Sequence, residues 1–221
     1  MPRLVYTNLA TLRTLPPEQF SSGMGEVIKH GLIRNREYYR WLKEHQKEIN
    51  LRDLEICQTM VLVSNQIKGE VVEKDPTEKG DRALLNFGHT LGHAIEKLKD
   101  FTMFHGHCVG LGAIAASEIS ADRGLISKEE AEDIRRTMEQ FGIPASVSGL
   151  SREAVIVATK LDKKLEAGVV KFILLQQIGQ AFVARTVTYQ AMEAGLASVL
   201  GRAVVPRRYR EMGYWQVCGG W

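Results

Sequence analysis

Apolar residues recur along most of the chain at helical spacing, and proline, glycine or acidic turn residues punctuate the recurrences. Residues 1–17 form an extended lead closing on Pro16-Pro17, and proline at a first helical position opens a helix predicted to reach about Arg34. Residues 36–48 and 51–74 lack proline and are rich in helix formers, with Leu54, Cys57, Val61, the small Ser64 and Ile67 on one face. Two further helices follow from that pattern. Asp75 to Asp81 has turn composition, and Ala83 to Lys99 reads as one continuous helix, interrupted after it by Phe101 to Gly106. From His107 to Arg123 the residues are apolar and small, the mark of a helix buried by close neighbours, with Gly124 as its C-cap.

Ser127 and Glu130 form a capping box ahead of a helix ending near Phe141. Pro144 to Ser151 is a loop, and Arg152 to Leu165 another helix. Alternation over Val169–Leu175 and Ala181–Val187 supplies the one convincing strand pair. The fold class expected is therefore mainly α with one small β-hairpin. No repeat or low-complexity segment is present, and the final stretch lacks any sustained period, so residues 202–221 are expected to be a mobile tail.

Composition narrows the function classes. The chain has 221 residues, 44% hydrophobic and 25% charged, enough for a sizeable core in one domain. Its longest apolar run, Cys108 to Ala116, falls well short of the roughly 18 residues a membrane helix needs, and the N-terminus lacks the pattern of a leader peptide. A cytoplasmic protein with no membrane partner is expected. Cys57, Cys108 and Cys218 are widely spaced without a CxxC, so they predict reduced thiols. The net charge of +3 resides in the last 21 residues, in Arg202, Arg207, Arg208 and Arg210 against Glu211. The rest is neutral, which argues against a nucleic-acid partner.

Chemistry concentrates in the histidines, four of which (His89, His93, His105 and His107) fall within one short stretch. Histidine is the commonest metal ligand, and His89 and His93 at i and i+4 share a helix face that could converge on a cation. Thr90 stands where a zincin requires glutamate, which argues against that protease class. Glu26, flanked by small residues, offers an anionic ligand, with a surface ion pair to Lys29 as the alternative reading. Lys68, Arg82, Asn86 and the Lys163-Lys164 pair after Asp162 add cations and neutral donors, a combination suited to a carboxylate or phosphate substrate. Gly110 to Ala115 matches a relaxed dinucleotide fingerprint, but no strand precedes it, so it reads as close helix packing.

The segments LPPEQFSSGMGEVIKHGLI, DPTEKGDRALLNFGHTLGHAIE, HGHCVGLG and LDKK, in that order, closely resemble the C-terminal domain of 3-dehydroquinate synthase, a sugar phosphate cyclase. The resemblance spans about Pro2 to Gly201, and residues 1–201 are expected to form this helical metal- and substrate-binding domain. It implies a fold in which an N-terminal NAD-binding domain, expected to be absent here, joins that helical domain. It implies a divalent metal, zinc or in its place cobalt, held by Glu26, His89 and His105. His93 then moves from metal ligand to phosphate contact, with Asn86 and Lys163. Lys68 and Arg82 become the carboxylate pair, and Lys29 a contact to substrate hydroxyls.

The activity implied is conversion of the seven-carbon phosphate DAHP to 3-dehydroquinate, using NAD transiently and releasing phosphate, in the shikimate route to aromatic amino acids. A separate NAD-binding domain and a second copy of the chain are the implied protein partners. A non-catalytic metal-binding domain, or a related cyclase with another substrate, are the alternatives. The motif departs from the family at His107, where His-Gly-Glu is usual, and the ending after Leu200 is unlike the family's.

Overall fold

The computed structural model describes residues 5–75, 80–162 and 172–201, and for 160–162 the backbone only. After a 3-10 turn at Leu9–Arg13, the helices are α1 (Pro17–Arg34), α2 (Arg36–Glu44), α3 (Gln46–Asn50) and α4 (Leu54–Lys74). A 3-10 segment at Asp81–Asn86 leads to α5 (His89–Leu98), α6 (His105–Asp122), α7 (Lys128–Gln140) and α8 (Arg152–Asp162). The hairpin β1 (Phe172–Gln177) and β2 (Gln180–Ala184) precedes α9 (Tyr189–Ala197). The two strands pair antiparallel, Ile173 opposite Val183, with an irregularity after Leu175. No helix among the described residues is long and apolar enough to cross a membrane.

Several boundaries have a local cause. Pro17 opens α1 with a ring that needs no hydrogen-bond acceptor. Asn35 ends α1 in an extended conformation and caps α2 by accepting from the Tyr38 N–H at 2.9 Å. The expected helix over 36–48 is broken at His45 into α2 and α3, and α4 starts at Leu54 because the Asp53 carboxylate accepts from the N–H groups of Glu55 and Ile56. The capping box at Ser127 is present with both of its hydrogen bonds.

The continuous helix expected over 83–99 does not form. Gly88 takes a φ of 79°, a left-handed conformation that an ordinary side chain resists, and there the chain turns from the 3-10 segment into α5. Asn86 and Arg82 therefore lie on a different axis from His89 rather than one and two turns ahead of it. Helix α9, capped by the Thr188 hydroxyl, was not anticipated by the pattern. The outer ends of the expected strand and helix, residues 163–171, and the tail from 202 lie outside the described residues.

Helix α6 is the axle of the core and is buried on almost every side. It is also where backbones come closest. A Cβ on Gly112 would fall 1.9 Å from the Gly88 carbonyl oxygen, and one on Gly106 would fall 1.8 Å from that of Ser22. These approaches draw α5 and α1 against α6, as the small-residue run predicted. Cys57 and Cys108 are buried and unpaired.

Candidate metal centre

Three helices deliver the candidate ligands to one corner. Glu26 and Lys29 stand one turn apart on α1, His89 and His93 on the first two turns of α5, and His105 is the first residue of α6. The glycine contacts fix how far apart those helices stand. Metal-binding atoms of His89, His93 and His105 all lie within 4.8 Å of one another, and the ring centroids of His89 are 5.0 Å from His93 and 5.5 Å from His105. Glu26 reaches the cluster from the side, its Oε1 standing 3.6 Å from His89 Nε2. Two ligand atoms each about 2.1 Å from one tetrahedral metal lie about 3.4 Å apart, so this spacing suits a shared ion.

The hydrogen bonds around these residues select which atoms point inward. His89 Nδ1 donates to the Phe87 carbonyl at 3.2 Å, which leaves the Nε2 lone pair facing Glu26. His105 Nδ1 donates to the Glu96 carboxylate at 3.1 Å, which makes Nε2 the ring nitrogen available to ligate. Glu26 Oε2 accepts from the Lys29 ammonium at 2.6 Å, whereas Oε1, shielded from solvent, has no hydrogen-bond partner among the described residues. A buried carboxylate oxygen without a partner is costly unless something cationic completes it. The donor set fits a divalent metal held by nitrogen and oxygen.

Charge is organised accordingly. Burial pushes the Glu26 carboxyl up, but the Lys29 ammonium, its hydrogen bond and the neighbouring histidines outweigh this and hold it below its ordinary value. Lys29 is only 2% exposed, and burial pulls its ammonium down against the opposing attraction of Glu26. Glu26's shift favours the pair and Lys29's records its desolvation; the 2.6 Å contact identifies it as an ion pair. His89 is pushed down to about 4, first by burial and then by Lys29, so its ring is neutral and able to ligate at neutral pH.

The remaining predicted residues fall around this corner. Lys68 is exposed on α4, and its charge acts on Lys29. Arg82 and Asn86 are half-buried on the 3-10 segment, which packs on α4 and leads directly into Gly88 and His89. Lys163 lies outside the described residues.

Two residues were missed by sequence reasoning. Glu96 orients His105, and its position, one turn after His93 on the same face of α5, was the available signal. His30 is buried beside Lys29, its Nδ1 2.8 Å from Ser64 Oγ, and burial pushes it down to about 4. His107, the fourth member of the histidine cluster, turns away from the other three. Its Nε2 lies 2.7 Å from Ser21 Oγ, it stacks edge-on against Phe104, and burial lowers it against the opposing charge of Glu18.

The chain matches the family model for the 3-dehydroquinate synthase C-terminal domain over residues 23–165. It is 37% identical to 3-dehydroquinate synthase of Ruminiclostridium cellulolyticum over 181 residues, 82% of this chain and 50% of that one. With the Nitrosomonas europaea enzyme it shares 38% over 187 residues, 84% and 51% of the two chains. The chain thus spans about half the length of the curated relatives it matches.

Among solved structures, 2-epi-5-epi-valiolone synthase from Streptomyces hygroscopicus with NAD+ and Zn2+ bound superposes with a TM-score of 0.79 at 22% identity, over 86% of this chain and 53% of that one. A 2-deoxy-scyllo-inosose synthase complexed with carbaglucose-6-phosphate, NAD+ and Co2+ gives 0.78 at 21%, over 90% and 57%. The chain belongs to the 3-dehydroquinate synthase family, through that family's C-terminal domain.

Proposed function

We propose that this chain is the metal- and substrate-binding half of a 3-dehydroquinate synthase, which releases phosphate from DAHP and closes the product ring when an NAD-binding domain supplies the hydride acceptor. One observation carries the reading: Oε1 of Glu26, without a hydrogen-bond partner among the described residues, faces His89 Nε2 at 3.6 Å, with His105 beside them and its Nδ1 engaged by Glu96. Glu26, His89 and His105 would hold the metal, zinc or cobalt. His93 borders the same space and is left to the substrate.

A bound divalent metal supplies Lewis acidity, which polarises the hydroxyl to be oxidised and acidifies the proton beside the resulting ketone. The residues of this chain do the rest of the positioning. Lys68 and Arg82 pair with the substrate carboxylate, a recognition that favours DAHP over sugar phosphates lacking one. His93, Asn86 and Lys163 hold the phosphate and stabilise the charge it carries away. Lys29, desolvated but charged, donates to a substrate hydroxyl and restrains Glu26 through its other contact. Fixing both ends of an open seven-carbon chain shortens the search for the cyclising geometry. The reading further places the protein in the cytoplasm, acting on a soluble metabolite as a homodimer.

The test is metal content of the purified chain by elemental mass spectrometry, with phosphate release from DAHP measured in the presence of NAD. About one metal per chain, lost in Glu26→Gln, supports the metal half. Phosphate release that appears only on adding an NAD-binding domain supports the whole proposal. A metal-loaded chain that remains inert with that domain present favours the non-catalytic alternative, and absence of metal overturns the reading.

A further inference from the structure

Helix α6 begins without a cap of its own. Its N-cap position is Phe104, which has no side-chain acceptor, so the first N–H groups of the helix must find partners elsewhere. One partner comes from another helix: the Ser22 hydroxyl on α1 accepts from the Gly106 N–H at 3.0 Å. The adjacent residue makes a second link. Ser21 Oγ donates to the Glu18 carbonyl at 3.0 Å within its own helix, which leaves it to accept from His107 Nε2 at 2.7 Å. Gly106 sits between these bonds with no room for a side chain. The first turn of α6 is therefore bolted to α1 at two successive residues, one turn before Glu26 on α1 and beside His105 on α6.

We propose that Ser21, Ser22 and His107 form an interhelical clamp that sets the distance between Glu26 and His105, making His107 a positioning residue of the metal centre. The inference rests on the metal reading above. His107 stands where the resembled motif has glutamate, and an imidazole reaching Ser21 is the form the clamp takes in this chain. Because the two linked helices carry the carboxylate ligand and one imidazole ligand, loosening the clamp changes the geometry offered to the ion while leaving every ligand in place. Outer partners of ligands commonly govern roughly 10- to 100-fold in metal affinity, and a clamp one step further out belongs near the lower bound.

The experiment is Co2+ titration of the full chain by competition with a chromophoric chelator, with the visible Co2+ absorption band recorded alongside and the metal-free melting temperature measured for each variant. Ser22→Ala and His107→Phe are each expected to weaken Co2+ binding about 10-fold and to move the band. His107→Gln, whose amide nitrogen can still donate to Ser21, is expected to restore both. A merely structural role would lower the metal-free melting temperature without moving the band. Affinity and band unchanged in Ser22→Ala and His107→Phe, with Co2+ bound normally by the unaltered chain, overturn the clamp alone. If the unaltered chain binds no Co2+, the metal reading falls and takes the clamp with it. Ser21→Ala, a milder change, supplies the same comparison should His107→Phe fail to fold.

Discussion

Two faces of this molecule gather acids and bases, and only one of them resembles a reactive site. Between α2 and α7 a cleft of about 400 Å3 is bordered by Arg36, Arg40, Lys43, Asp133 and Arg136, among others. There Lys43 donates to both oxygens of Asp133 at 2.6 and 2.7 Å, Tyr39 adds its hydroxyl to the same carboxylate, and Arg40 pairs with Glu37. Asp133, Glu37 and Glu130 are each answered by a cation there. At the corner of α1, α5 and α6 the charges are fewer and more buried, and one Glu26 oxygen has no hydrogen-bond partner among the described residues. The lesson is that charge density does not distinguish a site from a strut. What distinguishes them is a group left unsatisfied, at an energetic cost, where a ligand could satisfy it.

The largest effect that would break this comparison comes from the proposed ligands themselves. A four-ligand zinc site is worth about 10–16 kcal/mol, so each ligand contributes roughly 2.5–4 kcal/mol, or on the order of 100- to 1,000-fold in affinity. Glu26→Gln and His105→Ala are each expected to lose that much in chelator competition. Asp133→Asn is expected to lose none. Equal metal affinity in Glu26→Gln and the unaltered chain would place the two faces in the same class.

Next in size is the response to acid, which should come from the ligand corner and its buried neighbour. His30 and His89 fall to about 4 in the folded chain, against about 6.5 when unfolded. Between these values the unfolded state binds more protons than the folded one, so stability rises with pH. The metal-free protein should therefore be most stable above pH 6.5 and lose on the order of 3 kcal/mol per histidine as the pH falls toward 4. Chemical denaturation in EDTA across that window measures it. His30→Asn should flatten the slope, and an unchanged slope would mean that His30 charges freely in the fold.

On the paired face the expected signature is reversed. Asp133→Ala removes the acceptor for Lys43 and for Tyr39, a tyrosine whose hydroxyl is pushed upward chiefly by burial. Hydrogen bonds to charged groups contribute about 1.5–3 kcal/mol, and this half-exposed pair belongs near the lower figure, about 2 kcal/mol. Denaturant unfolding should register that loss while Co2+ affinity stays within experimental error. Loss of metal binding in this variant would couple the two faces and undo the distinction.

Much of this organisation was legible in the chain. Helix α4 carried a long periodic pattern, α1 an opening proline and α7 a capping box, and the small residues of Cys108–Ala116 announced the close packing of α6. The division at Gly88 was not legible, since the apolar pattern of Ala83–Lys99 continues across it and only the positive φ reveals the break. Helix α9 escaped because a short, small-residue segment gives little periodic signal. At the site, spacing alone paired His89 with His93, and those two rings do stand together with His105. The grouping of Glu26 with His89 and His105, which come from three helices, was carried by resemblance to a family, and the crossings at Gly106 and Gly112 bring those helices to one corner. The turn of His107 toward Ser21 depends on a contact between residues far apart in sequence, which no local pattern encodes.

The smallest predicted effect sharpens the comparison most, because it concerns a carboxylate that is satisfied and yet belongs to the site. Glu96 accepts from His105 Nδ1 at 3.1 Å and thereby keeps Nε2 free to ligate. Glu96→Gln preserves size and can still accept through its amide oxygen, but it removes the negative charge that strengthens the imidazole as a donor to metal. The amide can also rotate to present its NH2, which would stabilise the wrong tautomer. About a 10-fold loss of Co2+ affinity is expected, with little change in metal-free stability. Glu96→Ala should lose more, since the ring is then free to rotate. If both variants bind Co2+ as the unaltered chain does, Glu96 is a strut like Asp133, and His105 owes its orientation to α6 alone. If the Gln variant alone retains affinity, the hydrogen bond matters and the charge does not.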